Sequence, residues 1–254
     1  MITDEMVCRH HYDAVPSVMS DLIGCANVTK GTEYLWWRSI ALAYQLRPNP
    51  VVLKLIDEIR NKTVQEAEGR CVSTFVRHGD KYKEMKLQPF AAYATVAETL
   101  FDKMDQYYAR HPELNTAKSG KPGKMLYLNS EDFAVFDEAK RWGAAKHVQI
   151  IYSNLSQVIH REKDPTKDTK HPMEYFSYFL HLADTLSCMY HICTQASNSC
   201  RVIDNLRATL GGKANQYNVD LSPESCLKPP CYREFALGNF QGELHNPRNI
   251  VWRD

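Results

Sequence analysis

The chain has 254 residues, enough for one large hydrophobic core, and its 44% apolar and 24% charged residues make a globular rather than a disordered composition. With 31 basic residues against 30 acidic ones the net charge is +1, which gives no electrostatic reason to expect nucleic acid or an anionic membrane as partner. Any basic site must therefore be local.

No uninterrupted apolar stretch reaches the roughly 18 to 20 residues that a membrane span needs; the nearest, Tyr175 to Ile192, is broken by His181, Asp184 and Ser187. The N-terminus MITDEMVCRHHYD also lacks the pattern of a signal peptide. Eight cysteines and the sequons at Asn27, Asn61, Asn154 and Asn198 nonetheless point to an oxidising, secretory setting. A membrane anchor missing from this chain would reconcile the two observations.

Residues 1–31 carry Cys8, Cys25 and the pair His10-His11 without periodicity. Adjacent histidines with no cysteine or carboxylate at ligand spacing are usually surface residues, so no metal is assigned to them. Glu33 to Leu46 predicts a helix, apolar at Leu35, Trp36, Ile40, Ala43 and Tyr44 and stopped by Arg47-Pro48-Asn49-Pro50. Val51 to Arg60 predicts a second, with Val52, Leu55, Ile56 and Ile59 inward. Together these make an N-terminal region, 1–66.

Five of the six residues from Cys71 to Val76 are β-branched, aromatic or Cys, which predicts a strand buried in a parallel sheet, and Arg77, His78, Gly79, Asp80 and Lys81 follow at once. A helix from Pro89 to about residue 108 places Tyr93, Ala97, Leu100, Met104 and Tyr107 on one face, and Leu114 to Lys124 is a polar loop. Met125 to Asn129 predicts a second strand, with Ser130 as N-cap and Glu131 and Asp132 in the first turn of a helix to about Arg141. His147 to Tyr152 is a third strand, and residues 160–171 form a charged loop. A helix from Pro172 turns Met173, Phe176, Phe179, Leu180, Ala183 and Leu186 inward, and Met189 to Cys193 is a fourth strand. Thr194 to Ser197 then turns into a helix bearing Ile203, Leu206 and Leu210, closed by Gly211-Gly212.

Four strands alternating with helices over 67–212 predict an α/β domain, a Rossmann-like doubly wound parallel sheet, with residues 213–254 as a loop-rich tail stapled through Cys226 and Cys231. In such a sheet ligands bind beyond the carboxyl ends of the strands. Three polar sets meet there: Arg77 to Glu84, Ser130 to Asp132, and Ser197 to Arg201. Arginine suits a phosphate because its planar fork grips two oxygens, and a helix N-terminus at Ser197 presents N–H groups to an anion. The sequence contains no G-x-G-x-x-G and no P-loop, which argues against dinucleotide redox enzymes and ATPases. Cys193 and Cys200 either bridge across the strand-to-helix turn or are two buried thiols, and without a C-x-x-C pair zinc is not indicated.

Trp36-Trp37 with Arg47-Pro48-Asn49-Pro50, Val76-Arg77-His78-Gly79-Asp80-Lys81, Tyr127-Leu128-Asn129-Ser130-Glu131-Asp132 and Ser197-Asn198-Ser199-Cys200-Arg201 resemble, in order and spacing, the alpha-1,6-fucosyltransferases of glycosyltransferase family 23. The likeness covers about residues 33–212. It implies the GDP-sugar-binding half of a GT-B fold in a metal-independent Golgi enzyme with no cofactor, transferring fucose from GDP-fucose to the core N-acetylglucosamine of N-glycans on glycoproteins. It further implies Arg77 as the donor-phosphate arginine, Glu84 as the general base, aligned through a one-residue deletion before Pro89, and Lys81 as the partner of that base. Ser197, Glu131 and Asp132 match donor-site residues, and Cys193 with Cys200 matches the family disulfide.

Three departures accompany the likeness. Phe75 stands where the family has a histidine, His78 replaces a second arginine at the donor site, and Asp184 is the nearest counterpart of the aspartate that holds guanine. The transmembrane anchor, most of the acceptor-binding half and the SH3-like tail of animal members are expected to be missing from this chain. The alternative expectation is a catalytically inactive GDP-sugar or glycan-binding module with the same fold, and a third is a fucosyltransferase acting on another acceptor.

Overall fold

The computed structural model describes residues 33–60, 69–78, 87–114, 123–153, 173–194, 197–210 and 218–221, together with 62, 64, 67 and 216. Its centre is a parallel sheet of β1 (Val72–Val76), β2 (Lys124–Ser130), β3 (Val148–Ile151), β4 (Tyr190–Cys193) and β5 (Asn218–Asp220). The strand order is β3-β2-β1-β4-β5. Between the strands run α3 (Phe90–Arg110), α4 (Phe133–Lys146), α5 (Met173–Ser187) and α6 (Asn198–Ala208), and ahead of them come α1 (Glu33–Gln45) and α2 (Pro50–Ile59). The alternation of strand and helix read from the sequence is thus borne out as an α/β parallel sheet.

β1 is buried at all five positions because both of its faces meet helices. Val72 and Val76 join Leu126, Leu128, Tyr190 and Ile192 beneath α3 and α4. Phe75 points the other way, onto Leu182 and Leu186 of α5 and Ile203 and Leu206 of α6. Burying the nine aliphatic side chains of these two groups on β1 and the neighbouring strands and helices contributes on the order of 1.5–3 kcal/mol each.

The sheet extends one strand further than the sequence indicates. Asn218–Asp220 pairs in parallel with His191 to Cys193, so three residues assigned to the tail belong to the sheet. One apolar residue, Val219, between two polar ones gives a strand this short no readable period. The start of α4 also shifts: Asp132, not Ser130, is the N-cap, its Oδ1 accepting from the Ala134 N–H at 2.9 Å. Ser130 instead donates to the Val76 carbonyl at 2.8 Å and ties β2 to β1.

α1 and α2 lie outside α5 and α6. Arg38 and Ser39 of α1 both donate to Asn205 Oδ1 of α6, at 3.2 and 2.8 Å. On α2 the inward residues are Val52 and Ile56, which meet Leu180, Ala183, Phe176 and Phe179. Leu55 and Ile59, expected on the same inward face, are 40% and 48% exposed. Arg60 at the C-cap of α2 pairs with Asp184 of α5 at 3.3 Å and donates to Ser187 Oγ.

Two disulfides bracket β4. Cys71–Cys188 joins the start of β1 to the α5–β4 turn across 117 residues, and Cys193–Cys200 joins the end of β4 to the first turn of α6. Closing so long a loop is worth about 4–5 kcal/mol in the chain-entropy account. The same turn is held by the buried guanidinium of Arg207 on α6, which donates to the carbonyls of Cys188 at 2.9 Å and Met189 at 2.7 Å. Burial lowers the Arg207 pKa to about 10, against the nearby charge of Asp204.

Beside Arg207, His191 is fully buried with Nδ1 2.8 Å from Ser73 Oγ, and its pKa is held well below the ordinary 6.5, first by burial and then by the guanidinium. Below pH 6.5 the unfolded chain gains a proton at this position that the folded protein refuses, so stability falls as the pH drops through that value. The slope from one such group approaches about 1.4 kcal/mol per pH unit. Urea denaturation between about pH 7 and 5 should therefore show a flatter pH dependence in His191→Gln than in the wild type; an identical slope contradicts a neutral buried imidazole.

Candidate functional site at the strand-order reversal

From β1 the chain steps outward through β2 to β3, and from β4 it steps the opposite way to β5, so the order reverses between β1 and β4. At such a point the following connections part to opposite sides and leave a crevice beyond the carboxyl ends. The register pairs Thr74 with Ile192 and Val76 with Ser130, which brings the segments after β1, β2 and β4 to one edge. Asp220 ends β5 at that same edge, beside Cys193.

Arg77 and Glu131, both expected at the site, are brought together there. Arg77 Nη1 lies 2.6 Å from Glu131 Oε1, with 18% and 25% of the two side chains exposed. Glu131 Oε2 is buried and has no hydrogen-bond partner. A partly exposed charge-assisted bond of this length fixes the direction of the guanidinium fork, whose planar geometry also suits phosphate. An entering anion would have to share Arg77 with this carboxylate.

His78 and Asp132 form the next contact outward. The His78 ring spans from Asp132 Oδ2, 2.8 Å from Nδ1, to the Gln88 carbonyl, 2.9 Å from Nε2. Since a carbonyl only accepts, Nε2 carries a proton. Both ring nitrogens are thereby engaged within the protein, and Asp132 serves His78 and the cap of α4 at once. The pair expected to bind donor acts in this geometry as a brace between the residues after β1 and those after β2.

Ser197 is the N-cap of α6 and is 1% exposed, yet its hydroxyl makes no cap bond to the helix. Its Oγ is buried with no hydrogen-bond partner. The turn is set by its backbone, Ser197 N–H donating to the Thr194 carbonyl at 2.9 Å, and by the Cys193–Cys200 disulfide on either side. A buried donor without a partner at a helix N-terminus is a place for an anionic oxygen.

Tyr93 was read from sequence only as part of an apolar helix face. It lies one turn into α3 and is 1% exposed. Burial pushes its pKa up to about 12, with the charges of Asp220 and Glu131 adding to the effect. The phenol therefore stays protonated in the core, within the field of the two carboxylates. The available signal was the residue type: a tyrosine on a buried helix face must find a partner for its hydroxyl.

Asp184 does not join this set. It sits near the end of α5, where the chain is about to enter the amino end of β4, and its carboxylate faces Arg60 and the Tyr127 hydroxyl. Its expected contact with a guanine base is replaced by a structural ion pair at the opposite end of the sheet. Phe75 is 7% exposed in the core of the α5–α6 face. Lys81 and Glu84 lie outside the described residues. Among the described residues no group of three His, Cys, Asp or Glu side chains is gathered as for a metal, and no helix is long and apolar enough to cross a membrane.

Removing a hydroxyl that bonds to nothing costs little, whereas removing one that bonds twice does not. Ser197→Ala should leave stability within about 0.5 kcal/mol of wild type, while Ser130→Ala, which loses its bonds to Val76 and Asp132, should cost about 1–2 kcal/mol. Equal losses in chemical denaturation would contradict the unpartnered placement of Ser197. No family model matches this chain, so the capability of the site rests on its own geometry.

Proposed function

We propose that this chain is the donor-binding half of an inverting glycosyltransferase of the GT-B type, moving fucose from GDP-fucose in alpha-1,6 linkage to the core N-acetylglucosamine of N-glycans. The observation that supports it most is the pairing, at one strand-order reversal, of the Arg77 guanidinium after β1 with the buried, unpartnered Ser197 hydroxyl at the head of α6. A cation and a helix N-terminus on adjacent parallel strands suit a pyrophosphate.

In this reading the β-phosphate shares the Arg77 guanidinium with Glu131 and takes the Ser197 hydroxyl. Glu84 accepts the proton of the acceptor 6-hydroxyl as its oxygen attacks fucose C1, and Lys81 keeps Glu84 ionised. The bond from C1 to the phosphate oxygen breaks, and Arg77 stabilises the charge on departing GDP. No metal is required for this balance, since arginine carries the leaving-group charge. The two disulfides fit an oxidising compartment, in keeping with a Golgi-lumen placement.

A second reading, a GDP-sugar or glycan-binding module without transfer, draws on one observation. His78 is held between Asp132 and Gln88, so the residue that stands where the second arginine of the donor site was expected is turned to bracing. Calorimetry with GDP and a transfer assay with GDP-fucose and an N-glycan acceptor separate the two. Arg77→Ala should weaken GDP at least about 100-fold, the loss of two charge-assisted bonds; unchanged affinity removes the clamp. Glu84→Gln should keep GDP affinity and lower transfer about 100-fold or more. Tight GDP binding by the wild type without any transfer selects the module.

A further inference from the structure

Between α6 and the sheet, three buried polar atoms have no hydrogen-bond partner among the described residues: His191 Nε2, Arg207 Nε and Asn218 Oδ1. The residues that carry them are 0%, 2% and 4% exposed. A buried polar atom left bare costs stability, so three of them in one region call for a common explanation. They belong to a single ring of neighbours. His191 on β4 and Asn218 on β5 are register partners, and their side chains stand side by side on one face of the sheet. Asn218 donates through Nδ2 to Asp204 Oδ1 on α6, and Arg207 follows Asp204 one helical turn later. Arg207 Nη1 and the Ser73 hydroxyl both reach the Thr185 carbonyl at 3.4 Å, and Ser73 Oγ lies 2.8 Å from His191 Nδ1, which closes the ring.

The chemistry of the three atoms selects what fills the ring. Arg207 Nε–H only donates, and Asn218 Oδ1 only accepts. At His191 the tautomer decides. Ser73 Oγ is also 3.2 Å from the Tyr190 carbonyl, and a carbonyl only accepts. With the Ser73 proton on that carbonyl, His191 Nδ1–H donates to Ser73 Oγ and all three groups are satisfied. Nε2 is then a second acceptor. One donor and two acceptors are the complement of a water molecule, which accepts through its oxygen and donates twice; about three hydrogen bonds is also the usual number for a buried water. An ammonium ion offers nothing for Arg207 Nε–H to bond to, and an aprotic anion has no proton for Nε2 or Oδ1.

We propose that the ring of His191, Arg207 and Asn218 binds one ordered water, which accepts from Arg207 Nε and donates to His191 Nε2 and Asn218 Oδ1. The water joins α6, β4 and β5. Arg207 already ties α6 to the α5–β4 turn through the Cys188 and Met189 carbonyls, and the water carries that tie across to β5. The site lies under α6 within the domain, so it stands whether or not the strand-end edge takes a diphosphate.

Two measurements on the full chain test it. In a crystal structure fine enough to show ordered solvent, one density peak should lie about 2.7–3.2 Å from all three atoms. In nitrogen-15 spectra of histidine-labelled protein near neutral pH, with the His191 signals assigned by their loss in His191→Gln, Nδ1 should carry the ring proton and Nε2 should not. Asn218→Leu keeps the bulk and removes Oδ1, so the peak should be lost while His191 Nδ1 keeps its proton. A dry site, a direct bond from Arg207 Nε to Asn218 Oδ1, a protonated Nε2, or a peak unchanged in Asn218→Leu overturns the proposal. The wild-type measurements decide alone if Asn218→Leu fails to fold.

Discussion

β1 and β4 are buried at every position, on both faces, and therefore offer a polar ligand no access except at their ends. Parallel strands share one direction, so all their carboxyl ends fall along the same edge, and the reversal of strand order between β1 and β4 opens that edge to a ligand. The charged and hydroxylic side chains named above follow from this constraint. Arg77 and Ser197 are far apart in sequence and share one location because the strands that precede them are neighbours.

The edge of the sheet is braced for reasons separate from its chemistry. β4 is clasped below by Cys71–Cys188 and Arg207 and above by Cys193–Cys200, so the turn that presents Ser197 is tied to the sheet at both ends. Ser130 bonds β2 to β1, and His78 spans Asp132 and Gln88. Such supports hold Arg77 and Ser197 in place before any ligand arrives, and preorganisation of this kind lowers the ordering cost of binding. Arg77 is bonded to Glu131, which directs the fork and competes with an anion for it.

Much of this was legible in the sequence where the physics is local. Val72–Val76, buried on both faces, reads as a continuous apolar run, and the charges after it mark its end. Tertiary contacts decide the rest. Asp184 and Arg60 are 124 residues apart, a separation that no local spacing betrays, and Cys71 finds Cys188 across 117 residues. β5 is three residues long and mostly polar, too short for a pattern. At the start of α4, Ser130, Glu131 and Asp132 all have capping chemistry, and the choice of Asp132 was made by Val76, whose carbonyl engages Ser130. On α2 the apolar residues outnumber what one face can bury, so the helix pattern alone could not say which of them turn inward.

The central claim is that this edge recognises a pyrophosphate rather than a base or a sugar alone. Titration calorimetry of the full chain with GDP, GMP and guanosine tests it most directly. GDP should bind at least about tenfold more tightly than GMP, because Arg77 and the head of α6 both need the second phosphate, and guanosine should bind weakest. Equal affinity for GDP and GMP, or no binding of either, would contradict the account.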